Sequence, residues 1–234
     1  MKAWLNLFRA VNLPTVPGDV LVGASPALAG ATSLPWPLAA RIGAACLASV
    51  LVYMFGLADN DIVGAARDAG RPIPDGAISP RAAKVARGAC LAGAAALGAA
   101  ARLPCGWWAV TALLALAALV YNRRKQPAAM GLCRGLDVLC GAAVVPAAGP
   151  WPGIWPLGLA AVWAVYIAAV TKYSEGEESD PARRRRVGLL IGGIVYLQLL
   201  ALLPFRSTPL LIAGAALLVV LRVFRQVLPG VSAS

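Results

Sequence analysis

The chain contains no histidine. Imidazole acid–base chemistry and histidine-ligated metal centres are therefore excluded outright. Cysteine is sparse: Cys46, Cys90, Cys105, Cys133 and Cys140 show no Cys-x-x-Cys spacing and mostly sit in apolar stretches. They read as small packing residues, neither disulfide partners nor ligands. Charge is scarce too, at 13% of 234 residues, and acids are the scarcer sign: ten Asp and Glu against twenty-one Lys and Arg. With so few acids, their positions carry much of the information.

What fills the chain is apolar, 60% of residues with a mean hydropathy of +0.74, which argues against a soluble domain. Its runs of about 20 apolar residues have the length a helix needs to cross the hydrocarbon core. A net charge of +11 would suggest nucleic acid in a soluble protein. Here the basic residues cluster in short loops between apolar runs, the arrangement that orients membrane helices. The expectation is one all-α, polytopic membrane domain over residues 1–234, with about eight transmembrane helices, in contact with membrane lipids and with no nucleic-acid partner.

Residues Met1 to Arg9 form an amphipathic lead. The predicted spans are Val11–Gly30, Leu38–Ala58, Ala82–Ala101, Trp107–Tyr121, Gly131–Gly149, Trp155–Tyr173, Val187–Leu203 and Pro209–Phe224. Span one is broken by Pro14, Pro17 and Asp19. Those residues argue against the rival reading, a secretory signal running from Lys2 to Ala29-Gly30. Placing the N-terminus in the cytoplasm puts eighteen Lys and Arg inside and leaves Arg41, Arg102 and Arg206 outside. The positive-inside rule predicts such an asymmetry, so both termini are expected to be cytoplasmic; the membrane expected is the cell (inner) membrane of a bacterium.

All acids but Asp19 then fall in, or just inside the membrane from, three cytoplasmic loops. The first acidic loop is 59–80, the basic loop 121–130, and the second acidic loop 172–186. The acidic loops lie four spans apart, which suggests a doubled four-helix unit whose loops meet at one mouth. Asn60, Gly64 and Asp68 recur every four residues and share a helix face. Asn and carboxylate oxygens suit a hard cation such as Mg²⁺, and neighbouring Lys and Arg suit phosphate oxygens. Within span five, Arg134 and Asp137 are three apart and can pair. An apolar chamber above a charged mouth fits a diphosphate ester with a greasy tail.

Several of these motifs resemble those of the UbiA superfamily of intramembrane prenyltransferases. Asn60-Asp61 with Asp68 is similar to its first aspartate-rich motif, Asn-Asp-x-x-Asp-x-x-x-Asp. Arg71-Pro72-Ile73-Pro74-Asp75-Gly76 resembles the Arg-Pro-(Leu/Ile)-Pro-Ser-Gly stretch that follows it. Tyr121-Asn122 with Lys125, then Met130-Gly131-Leu132-Cys133-Arg134-Gly135-Leu136-Asp137, resemble the fourth and fifth helices. Arg9-x-x-Asn12 and Asp19-Val20-Leu21-Val22-Gly23 resemble the first. The resemblance covers most of the chain in order, and the EboC-like branch is the most similar.

The resemblance implies Mg²⁺-dependent transfer of an isoprenyl group from its diphosphate to a lipophilic acceptor, aromatic ones included. It implies metal ligation by Asn60, Asp61, Asp68, Glu177 and Asp180. Diphosphate would be held by Arg67, Arg71, Lys125, Arg134 and Lys172, and Asn12, Asp19, Tyr121 and Asp137 would line the pocket. Two departures stand out. Gly64 occupies the middle aspartate position of the first motif, and the second motif is reduced to Glu175, Glu177, Glu178 and Asp180. The family usually has nine spans, and eight are expected here. Plainer readings stand beside these: an Asp68–Arg71 pair on a wet loop, a salt-bridged surface segment at Glu175–Arg186, a structural Arg134–Asp137 pair. A degenerate relative that binds or moves a lipophile without catalysis is the main alternative. A CDP-alcohol phosphotransferase, which needs an Asp-Gly opening and two further aspartates four apart, does not match the order of acids.

Overall fold

The computed structural model describes residues 1–66, 70–145, 153–175 and 180–228. Among them the chain is helical without strands. A short α1 (Lys2–Leu7) leads into a broken segment: a 3₁₀ turn at Ala10–Thr15, α2 (Pro17–Ala24) and a 3₁₀ turn at Pro26–Leu28. Then come α3 (Trp36–Gly64), α4 (Pro80–Ala100), α5 (Cys105–Arg124), α6 (Pro127–Val144), α7 (Ile154–Ser174), α8 (Pro181–Leu202) and α9 (Thr208–Val227). Six helices (α3, α5, α6, α7, α8 and α9) are long and apolar enough to cross a bilayer. The protein is an integral, multi-pass membrane protein.

Predicted span one, Val11–Gly30, is not a single helix. Proline lacks the N–H for an internal helical bond and its ring clashes with the preceding turn. Pro14 stands inside the first 3₁₀ turn, Pro17 restarts the chain as α2, and Pro26 opens the second 3₁₀ turn. Elsewhere proline acts as a starter, in the first turn of α3, α4, α6, α8 and α9, where the missing donor has no partner anyway. Ser79 caps α4 by accepting the Ala82 N–H at 3.2 Å. The turns after α4, after α5 and before α9 contain Arg102, Lys125 and Arg206 at φ 51°, 53° and 51°.

The three charged loops are shorter than predicted, because helix continues into them. Residues 59–64 belong to α3, 121–124 to α5, and 172–174 to α7. At 29 residues α3 is about 43 Å long, some 13 Å more than the hydrocarbon core. Its surplus turns carry Asp59, Asn60 and Asp61, all buried by neighbouring helices.

The bundle centres on the crossing of α2 and α6. A Cβ on Gly23 would fall on the Val138 carbonyl, and one on Gly141 would fall on the Val20 carbonyl. The two backbones therefore touch directly, as small residues allow between membrane helices. A core of Val20, Val22, Ala48, Val52, Trp107 and Val138, among others, surrounds that crossing. A second, smaller cluster packs Leu7 of α1 against Ile73, Ile78 and Ala83, which ties down the 70–79 loop.

Candidate active site

A cavity of about 330 Å³ lies among α3, α5, α6, α7, α8 and the broken first segment. Its mouth is at the end of the bundle where α3, α5 and α7 finish: Asn60, Tyr121, Lys125 and Ser174 line it there, with Arg9 and Arg71. Its deep end is lined by Thr15, Ser49, Arg134 and Asp137, and its walls include Val52, Leu114, Ile167, Val170, Ile191 and Ile194. Ser49 and Asn60 are eleven residues apart on α3, so the cavity runs about 16 Å along the helix axis.

At the mouth, Lys125 follows the last residue of α5 in a left-handed conformation. Its ammonium bonds the Asn60 side-chain oxygen and stands 5.4 Å from the centre of the Tyr121 ring. Asn60 in turn donates to Asp61 at 3.5 Å. Arg9, also left-handed at φ 42°, has a buried Nε without a hydrogen-bond partner among the described residues. Beside this mouth Asp59 serves as a clasp. It pairs with Arg87 of α4 at 2.7 Å and accepts from Asn122 of α5 at 3.0 Å, and Asn122 also holds the Gly56 carbonyl at 2.8 Å.

Deeper, Asp19 is fully buried and is held from three helices. Arg134 of α6 pairs with it at 2.8 Å; Trp163 of α7 and Gln198 of α8 donate to it at 2.8 and 2.5 Å. Arg134 and Gln198 both also donate to the Thr15 carbonyl, at 2.9 and 2.7 Å. That carbonyl stands just before Pro17, where the helical ladder is interrupted. The broken backbone and the buried carboxylate are satisfied by the same two side chains, as intramembrane polar groups must be.

No protein-family model and no curated protein matches the chain. Solved structures do. A UbiA homologue from Archaeoglobus fulgidus bound to DMAPP and Mg²⁺ aligns over 100% of this chain and 90% of its own, at 15% identity and a TM-score of 0.59. The same homologue with GPP and Mg²⁺ gives 99% and 90% coverage, 16% identity and a TM-score of 0.58. A digeranylgeranylglyceryl phosphate synthase aligns over 96% of this chain and 87% of its own, at 16% identity and 0.61. The chain has the UbiA fold.

Within this UbiA fold the residues expected to form the site separate. Asn12, Asn60, Arg71, Tyr121, Lys125, Arg134 and Asp137 do line one cavity. Asp61 is buried beside Asn60, and Asp19 lies behind Arg134, so neither faces it. Lys172 and Asp180 stand outside the cavity lining. Lys172 is exposed and pairs with Glu175 at 2.6 Å, since the last turn of α7 directs it outward. Asp180 is the N-cap of α8, accepting the Ala182 and Arg183 N–H groups at 2.9 and 3.1 Å. Those bonds, that of Arg183 foremost, hold its carboxyl below the ordinary value of 3.8. The expected Arg134–Asp137 pair is corrected: Arg134 turns to Asp19, and Asp137 accepts instead from Ser49.

Arg67, Asp68, Glu177 and Glu178 lie outside the described residues. Among the described ones, no group of three or more Cys, Asp or Glu could hold a metal ion. Asn60 and Asp61 together offer only hard oxygen donors, the type Mg²⁺ takes, but they are two of the several ligands it needs. The site residues that the sequence reading missed are Arg9, Ser49 and Gln198. Gln198, a lone amide in the apolar run of α8, carried the same signal that marked Asp19. Ser49 carried none.

Proposed function

We propose that the chain is a membrane prenyltransferase, moving an isoprenyl group from its diphosphate to a lipophilic acceptor. The polarity gradient of the cavity carries this reading. Arg9, Arg71 and Lys125 gather three cations at the mouth, above walls of Val, Leu and Ile. Arginines suit bidentate contact with phosphate oxygens, and lysine acts there as a point charge. A diphosphate at the mouth with its tail along the walls matches that order. The UbiA homologue solved with DMAPP or GPP and Mg²⁺ has the same fold.

The work of the chain's own residues follows. Lys125 exchanges its bond to Asn60 for a diphosphate oxygen, and Arg9 and Arg71 spread the charge that builds up as the carbon–oxygen bond ionises. The apolar walls keep water from the allylic cation until the acceptor is alkylated. Asn60, with Asp68 and Glu177, would hold Mg²⁺, which would supply charge neutralisation to the leaving diphosphate, while Asp61 accepts from the Asn60 amide behind it. In this reading the N-terminus and the mouth face the cytoplasm, and the whole chain is a single membrane domain.

A second reading has its own observation. Gly64 brings no carboxylate, and Lys125 occupies the oxygen of Asn60 that would face a metal. On that reading the cavity binds or moves a lipophile without chemistry. Titration of geranyl thiodiphosphate, which resists ionisation, into the detergent-purified protein separates the two. Prenyl transfer requires saturable binding that Mg²⁺ tightens and that Lys125→Ala weakens. No binding with or without Mg²⁺ refutes it and leaves the lipophile carrier.

A further inference from the structure

We infer that Ser49 and Asp137 form a subsite at the deep end of the cavity for a hydrogen-bond-donating head group, a hydroxyl or an amine, and that this subsite rejects carboxylates. Asp137 lines the cavity and is only 3% exposed. Among the described residues its one hydrogen bond is from the Ser49 hydroxyl, and no Lys or Arg forms an ion pair with it. The nearest arginine, Arg134, stands one turn earlier on α6 and is held by Asp19. Asp19 and Asp137 therefore share a single arginine among the described residues, and Asp137 is the one without an ion pair of its own, on a cavity wall that also includes Val52, Leu114 and Cys133.

A carboxylate can accept several hydrogen bonds, and Ser49 supplies one. The remaining capacity of this buried carboxyl opens on the cavity, where an entering hydrogen-bond donor meets it. A ligand hydroxyl or ammonium meets it. A carboxylate head would bring a second negative charge into a low-dielectric space beside the first. The role is selective, not catalytic. Ser49 is eleven residues below Asn60, about 16 Å along α3, too far for Asp137 to touch a carbon attached to a diphosphate at the mouth. As an extension of the prenyltransferase reading, which it rests on for the word acceptor, the subsite anchors the acceptor's polar head and leaves its reactive end toward the mouth.

The test uses three probes on the whole protein in nanodiscs of zwitterionic lipid: para-pentylphenol, para-pentylaniline and para-pentylbenzoate, with affinities from tryptophan fluorescence or calorimetry. Wild type should bind the phenol about tenfold or more tighter than the benzoate, the size of one charge-assisted contact. Asp137→Asn should bring that ratio close to one by admitting the benzoate. Ser49→Ala should weaken the phenol without admitting the benzoate. Equal binding of phenol and benzoate to wild type overturns the inference whether or not the variants fold, and so does binding of none of the probes. A ratio that survives in folded Asp137→Asn does the same. Geranyl thiodiphosphate is titrated separately: a phenol preference without diphosphate binding sinks the prenyltransferase reading and keeps the subsite.

Discussion

Removing the Arg134 guanidinium tests how the first segment is held. Arg134→Ala takes away the 2.8 Å ion pair to Asp19 and the 2.9 Å bond to the Thr15 carbonyl. Gln198 and Trp163 still donate to Asp19, so the carboxylate keeps hydrogen bonds but loses its one counter-charge among the described residues. Leaving a buried charge uncompensated costs about 3–5 kcal/mol. For a chain of this size each kcal/mol moves the melting temperature by roughly 2–4 °C, so the expected loss is about 6–20 °C. Thermal unfolding in detergent, followed by the aggregation or fluorescence of the seven tryptophans, gives the reading. The double variant Asp19→Asn/Arg134→Met should recover much of the loss, because neither member is then charged. A melting point within about 2 °C of wild type in Arg134→Ala, equivalent to a kcal/mol or less, would refute the argument. The network would then be wet, or Asp19 already neutral.

Lys125→Ala should weaken geranyl thiodiphosphate binding tenfold to a hundredfold, since a charge-assisted contact is worth about 1.5–3 kcal/mol. Lys172→Ala, whose partner Glu175 is equally solvent-borne, should change that affinity less than about twofold. Gly64→Asp restores a carboxylate one turn beyond Asn60 and should raise Mg²⁺ affinity, read by the Mg²⁺ dependence of diphosphate binding; no change would show that α3 does not face the metal. Gly23→Ala places a methyl on the Val138 carbonyl, and the forced separation of α2 and α6 should lower the melting point by an amount that a deleterious contact with backbone implies, about 1–3 kcal/mol. Asp180 caps α8 with a carboxyl held below 3.8. Its cap is therefore complete above that pH and is lost as pH falls through the depressed value, which hydrogen exchange at the Ala182 and Arg183 amides should follow.

Much of the architecture is local and was legible in the sequence. Seven of the eight apolar runs became helices within about six residues of their predicted limits, and six of those helices are long and apolar enough to cross a bilayer, because its thickness sets their length and proline marks several of their starts. The first run failed for an equally local reason, three prolines that forbid a continuous ladder. The charges were another matter. Side chains on one helix can be ranked by spacing, and spacing alone pairs Arg134 with Asp137. Tertiary packing offered Arg134 a better partner, Asp19, which stands over a hundred positions earlier in the sequence and is buried by the α2–α6 crossing. The same packing turned Lys172 and Asp180 outward, brought Arg9 to the mouth and set Ser49 against Asp137. Composition and periodicity decide that a chain lies in the membrane and where its helices run. Which buried charge meets which depends on distances between helices, and those exist only once the bundle has closed.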